Sequence, residues 1–379
     1  MTAATTTLAP KGANGSALLT LMKLRTFIAL FAVIIFFAIF APNFTSTANM
    51  ILMSKHVALN AFLAMGMTFV IITGGIDLSV GSIVGLCGMV AGGLILYGIE
   101  LPIGYTVFFN LFEIVLITLA VGLIIGLING LLITKLNVAP FIATLGTLYI
   151  ARGLALLSSD GQTFPNLVGR PEYATTGFDF FGAGRILGLP VSIWILIVLA
   201  LVASYVARST PIGRHIFAVG GNERAARMSG IRVDLVKIFV YMFSGLCAAI
   251  VGVVISSELM AAHPATGESF ELNAIAAAVL GGTSMSGGRG TIGGTIIGSS
   301  ACVVPGLLRS KLDAHLDGLP RLKDATGEVQ VGQDLSRLLN LTDKLAQQKK
   351  DQFISSELFV LAAADDKGAV GKILREAGA

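Results

Sequence analysis

Charge is scarce in this chain. Only 13% of its 379 residues are Asp, Glu, Lys or Arg, where a soluble domain carries about 25%. With 54% hydrophobic residues and a mean hydropathy of +0.83, that shortfall excludes an ordinary soluble globule and indicates a polytopic membrane protein. Cysteine is sparse as well. Cys87, Cys247 and Cys302 lie far apart in apolar runs, so neither a disulfide framework nor a cysteine metal site is expected. His56, His215, His263 and His315 are equally scattered, and no metal is expected. No G-x-x-x-x-G-K-[ST] occurs anywhere. The glycine-rich stretch 281–290, GGTSMSGGRG, is only superficially like a phosphate loop, so nucleotide binding is rejected and no cofactor is expected in this chain.

What the chain has in excess is glycine, 45 residues, against a usual ~7%. Gly81/Gly85, Gly122/Gly126/Gly130 and Gly290/Gly294/Gly298 recur every fourth residue, the spacing that lets membrane helices approach closely. The net charge of +4 fits basic cytoplasmic loops and gives no reason to expect nucleic acid.

Read in order, residues 1–22 are Thr/Ala/Gly-rich and expected to be disordered. Lys23 and Arg25 precede an apolar run at 27–41, read as an uncleaved first helix with a cytoplasmic N-terminus. Further apolar segments follow at 57–73, 78–97, 112–133, 139–157 and 190–207. Six crossings return the chain to the cytoplasm at residues 208–237. There Arg208, Arg214, Arg224, Arg227, Arg232 and Lys237 face only Glu223 and Asp234, the cytoplasmic bias. A span at 238–257 leads out to a loop with Glu258, His263, Glu268 and Glu271. Residues 273–280 are too short to cross, and read as a half-helix or re-entrant piece. Another span begins at 291. From about 307 the chain turns charged and soluble-looking, with Leu335, Leu338, Leu339 and Leu345 on one helical face. The fold class is all-α, a membrane helix bundle with broken or re-entrant helices followed by a small soluble helical part.

Three stretches could carry function. Thr73 to Gly81, TGGIDLSVG, sets a glycine pair and Asp77 between two apolar runs. A carboxylate at a helix centre costs roughly 2.5–3.5 kcal/mol, and irregular backbone at membrane depth must be buried in protein or line a cavity. Gly74, Gly75, Asp77 and Ser79 are therefore candidates for the translocation path; a tight turn near one face is the alternative. Residues 137–147 form a second interruption. Asn137, Phe141, Thr144 and Thr147 are candidates there, the last three read as sharing a face, and core packing is as compatible. Within 208–237, Asn222 to Met228 is rich in helix formers and closes at Gly230. It reads as a short helix along the membrane, or as an ordinary solvated loop.

GGNERAARMSGI with VKIFVYMFSGLCAAIVG, GGIDLSVGS, the 137–147 stretch and ELNAIAAAVLGGTSMSGGRGTIGGTIIG together resemble permeases of sugar-type ABC importers, the ribose/xylose/arabinose group. The resemblance implies a transmembrane domain over 23–305 in a bacterial inner membrane, without enzymatic activity of its own. Gly221, Asn222, Glu223, Ala225, Ala226, Arg227, Ser229 and Gly230 would couple to a cytoplasmic ATPase subunit. A second permease copy and a periplasmic sugar-binding protein would be the other partners. DQFISSELFVLAA, with LSRLLNLTDKLAQ before it and KILREAGA after it, resembles the second half of the ClpB disaggregase N-terminal domain, over 308–379. The permease family continues into further hydrophobic helix at this point, so the chain reads as a chimera, expected to be transport-defective. Rival readings are an ion-coupled secondary transporter using Asp77, and a membrane-anchored adaptor whose tail binds unfolded polypeptide.

Overall fold

The computed structural model describes residues 45–301, except Ile103, together with Ile35. The 1–22 segment, all but one residue of the helix expected at 27–41, Cys302 and the Clp-like 308–379 stretch lie outside the described residues. The chain divides into two units, and the helices below belong to the one containing Thr47–Val303.

Among the described residues, five helices are long and apolar enough to cross a membrane: α1 (Thr47–Ile72), α3 (Leu111–Thr134), α4 (Pro140–Leu157), α5 (Val191–Ser209) and α8 (Val233–Leu259). Between them lie α2 (Val80–Leu96), α6 (Pro211–Gly221), α7 (Glu223–Met228) and α9 (Phe270–Leu280), and residues 292–301 form a further helical stretch, α10. Two small antiparallel ribbons occupy the loops, Ile99–Glu100 with Thr106–Val107 and Arg185–Ile186 with Leu189–Pro190. The architecture is a helical bundle.

Local chemistry places the helix starts. Asn110 accepts from the Glu113 amide while the Glu113 carboxylate accepts from the Asn110 amide, a capping box opening α3. Pro140 and Pro211 occupy the first turns of α4 and α6, where the missing N–H costs nothing.

Two helices outrun their apolar sequence. α1 starts at Thr47 instead of 57, because Lys55, which breaks the hydropathy, is neutralised by Glu258 at 2.8 Å. α8 starts at Val233 instead of 238, with Asp234 in the first turn, where a carboxylate suits the helix N-terminus, and Lys237 paired with Glu223.

α8 is the central rod. α3 makes the most extensive packing against it, followed by α2 and α1. The glycine stripe of α3 is the reason. A Cβ added at Gly122 would strike the Gly245 backbone and Ala249, at Gly126 the Tyr241–Met242 backbone, and at Gly130 the Ile238 backbone. As the α3 number rises its α8 partner's falls, so α3 is antiparallel to α8. α1 is antiparallel too, with Lys55 at Glu258 and Gly66 against Ser244. α2 is parallel, with Val84 near Gly252 and Gly88 near Ser256. The chain therefore reverses fully between α1 and α2. The other two stripes also serve packing: Gly294 and Gly298 receive the backbone of Gly281 and Ala277, and Gly81 and Gly85 receive residues 264–267.

Candidate translocation and coupling sites

The reversal between α1 and α2 is built around Asp77. One carboxylate oxygen accepts from the Ser79 amide (3.0 Å) and hydroxyl (2.6 Å), and the other accepts from the Ser244 hydroxyl of α8 (2.8 Å). Asn129 of α3 donates to the Ser79 hydroxyl at 2.9 Å, and Thr144 of α4 donates to the Ile76 carbonyl at 3.3 Å. Asp77, Ser79, Asn129, Thr144 and Ser244 all have zero exposure. Three helices thus meet the α1–α2 reversal on one buried polar knot, and a buried carboxylate is tolerable when its lone pairs are filled in this way. Gly75 is also closed, since a side chain there would collide with the Tyr241 hydroxyl. Gly74, at φ +80°, is exposed with open space around it.

At the second interruption, Asn137 adopts φ +53° and is exposed just before Pro140 opens α4. Thr144 is buried and Thr147 is 6% exposed, and both hydroxyls also bond carbonyls one turn back; Phe141 is 54% exposed. Of the three expected to share a face, Thr144 and Thr147 lie on the packed side of α4, and Phe141, in its first turn, is largely exposed. The structure brings Asp77, Ser79 and Thr144 together, but inside protein.

The basic segment between α5 and α8 holds two helices where one was expected. α6 is capped by the Thr210 hydroxyl on the Gly213 amide, and buries Gly213, Ile216 and Val219. Gly221 ends it, exposed. Asn222 then opens α7, its side chain accepting from the Ala225 amide at 3.0 Å. Ser229 ends α7, and Gly230 at φ +83° lets the Ile231 amide return to the Ala226 carbonyl. Ala226 is the buried anchor; Arg224, Ala225, Arg227, Met228 and Ser229 face outward, Met228 at 90% exposure. Ion pairs fix the position of α7. Glu223 meets Lys237 at 2.8 Å and Arg227 at 3.4 Å, while Arg227 also meets Asp234, itself 3.1 Å from Lys135 at the end of α3. The Lys237 hydrogen bond, opposed by burial and reinforced by the charges of Lys237 and Arg227, holds the Glu223 carboxyl below its ordinary range.

The glycine-rich loop 281–290 lies at this same end. The Gly288 amide donates to the Ile72 carbonyl at 2.9 Å, and a side chain at Gly220 would strike that same carbonyl. Its amides serve the junction of α1, α6 and α9.

Arg152 is not among the residues that the sequence patterns single out. It is half-buried on α4 and donates to the Pro264 and Thr266 carbonyls of the irregular strap between α8 and α9. Its signal was available: it is the one charged residue in the apolar run 139–157. The strap, which the sequence places on the outside, packs onto Gly81 and Gly85 in the first turns of α2.

Comparison with known proteins puts a family to this arrangement. The family described as "Branched-chain amino acid transport system / permease component" matches residues 47–308. The Clp repeat (R) N-terminal domain matches residues 293–377, overlapping the first match. The ribose import permease RbsC of Haemophilus influenzae is 41% identical over 77% of this chain and 86% of its own length. That of Bacillus subtilis is 45% identical over 73% and 82%, and that of Escherichia coli K12 is 42% identical over 74% and 83%. No solved structure matches. A bundle of apolar helices matched over most of its described length, with these identities across more than four fifths of each relative, belongs to the branched-chain amino acid transport system / permease component family.

Proposed function

We propose that this chain is the membrane subunit of an ATP-driven sugar importer in a bacterial inner membrane, with ribose the first candidate substrate. The observation that carries this is the 41–45% identity to three ribose import permeases across more than four fifths of their length. ATP hydrolysis would belong to a separate cytoplasmic subunit. A second permease copy and a periplasmic sugar-binding protein would complete the assembly. Arg208, Arg214, Arg224, Arg232 and Arg289 gather with Lys135 and Lys237 at one end of the bundle, which supports reading that end as cytoplasmic. α8 then runs outward, and a helix before α1 would begin in the cytoplasm.

In this reading α7 is the part that the ATPase grips. Its outward Arg224, Ala225, Met228 and Ser229 offer an apolar knob between cations, and its ion pairs hand motion to α8 and α3. Gly230 sets the angle of α7. Replacing it with valine forces a β-branched residue into left-handed backbone, which costs roughly 1–2 kcal/mol, while asparagine tolerates it. Gly230→Val should lower sugar-stimulated ATP hydrolysis and uptake in the assembled transporter, and Gly230→Asn should retain both. Equal behaviour of the two variants would remove α7 from the coupling route. The Clp-like segment is read as a graft in place of the permease ending, lowering transport by the whole chain.

A further inference from the structure

Asp77, Ser79 and Thr144 are buried, and a set of exposed polar groups lies elsewhere on the bundle. Of the charged side chains described between the two ends of the bundle, Asp77 is buried, and the others cluster where the 260–269 strap folds back. Arg152 holds two strap carbonyls, and Glu268 and Glu271 lie within electrostatic reach of it. Gly81 has no room for a side chain because Gly267 and Glu271 occupy that space. Glu268, Ser269 and Asn273 are exposed on the bundle surface and Glu271 is partly so.

Position gives this face its meaning. Val84 packs near Gly252, and Gly252 lies 19 residues into α8, counting from Val233. At 1.5 Å per residue that is roughly 28 Å from the basic end. Gly81, one turn earlier on a parallel helix, stands near the middle of the apolar span. Carboxylates and irregular backbone at such depth cannot face lipid; they require protein or a water-filled cavity.

We propose that Arg152, Glu268, Ser269, Glu271 and Asn273 form the water-lined, sugar-contacting face of the translocation path. This rests on the importer reading and names its substrate chemistry. Two carboxylates and an amide accept from hydroxyls, and the guanidinium donates to ring or hydroxyl oxygen. Tyr149, 70% exposed one turn before Arg152, offers an aromatic face to the C–H side of a sugar. Two carboxylates against one guanidinium leave the face net negative, which suits an uncharged polyol and disfavours an anion.

The test uses the full chain in membrane vesicles, with Cys87, Cys247 and Cys302 replaced. Single cysteines are placed as Ser269→Cys, Asn273→Cys, Ser79→Cys and Thr144→Cys, then exposed to a membrane-impermeant thiol reagent from each side. Positions 269 and 273 should label, and 79 and 144 should not. Ribose or allose should slow the labelling several-fold, and leucine should not. Labelling is read without transport, so the water-lined face is decided even if ribose uptake fails; uptake by a cysteine-free version ending as the relatives do judges the importer reading separately. Unreactive 269 and 273 from both sides, or their oxidative cross-linking to a second copy without labelling, would overturn the water-lined face. Labelling that neither sugar alters would overturn the sugar contact.

Discussion

At Asp77 the chemistry of a single residue is explained by its neighbours. A lone carboxylate between apolar runs suggests a path, but three donors from Ser79 and Ser244 fill its lone pairs. Leaving such a donor unpaired costs about 1–3 kcal/mol. Asp77→Ala should therefore lower the thermal unfolding temperature of the purified permease more than Asp77→Asn, which keeps one acceptor oxygen. Native-like melting of the alanine variant would mean the knot does not hold the break. Glu223 works at the surface and responds to pH. Its folded carboxyl lies below the ordinary 4.5 chiefly through Lys237, so its contribution is complete above that value and disappears as pH falls through the lowered folded one. A spin label at position 228 should keep constant mobility from neutral pH down to the ordinary carboxylate range, and loosen below it. Loosening already between pH 7 and 6 would point to another group. Glu223→Gln should be loose throughout.

Among the elements, α3 and α8 carry the closest packing, and glycine decides it. At Gly126 an added Cβ would lie 2.7 Å from the Met242 Cα and closer still to the Tyr241 carbonyl, both backbone. Gly126→Ala should destabilise by about 1–3 kcal/mol through overpacking. Gly146→Ala on α4, with nothing within 4 Å of its Cβ, should be neutral or mildly stabilising through helix propensity. Melting temperatures in detergent check the opposite signs, and a matching drop in both would show that helix crowding is not the cause. The four-residue glycine spacing made close packing legible in the sequence. Its partner was not legible, because nothing in the spacing says which backbone approaches.

For the whole molecule, the joined matches at 47–308 and 293–377 bear on how well the chain works. In a strain lacking its own ribose permease, the full chain should restore growth on ribose less well than a version ending as the relatives do. Equal growth would show that the Clp-like segment does not impair transport.

Apolar runs determined the bundle by themselves, since about 20 apolar residues must span the bilayer wherever they stand in a chain. The basic excess at 208–237 and the breaks at 73–79 and 137–140 were equally plain. The tertiary structure decided what local sequence cannot carry. Lys55 and Asp234 are paired with Glu258 and Lys135, partners distant in the chain that no local pattern names. Asp77 was sealed, and the strap at Arg152 drawn inward, by the same physics. A charge in an apolar setting is governed by the partner that reaches it, and folding alone supplies that partner.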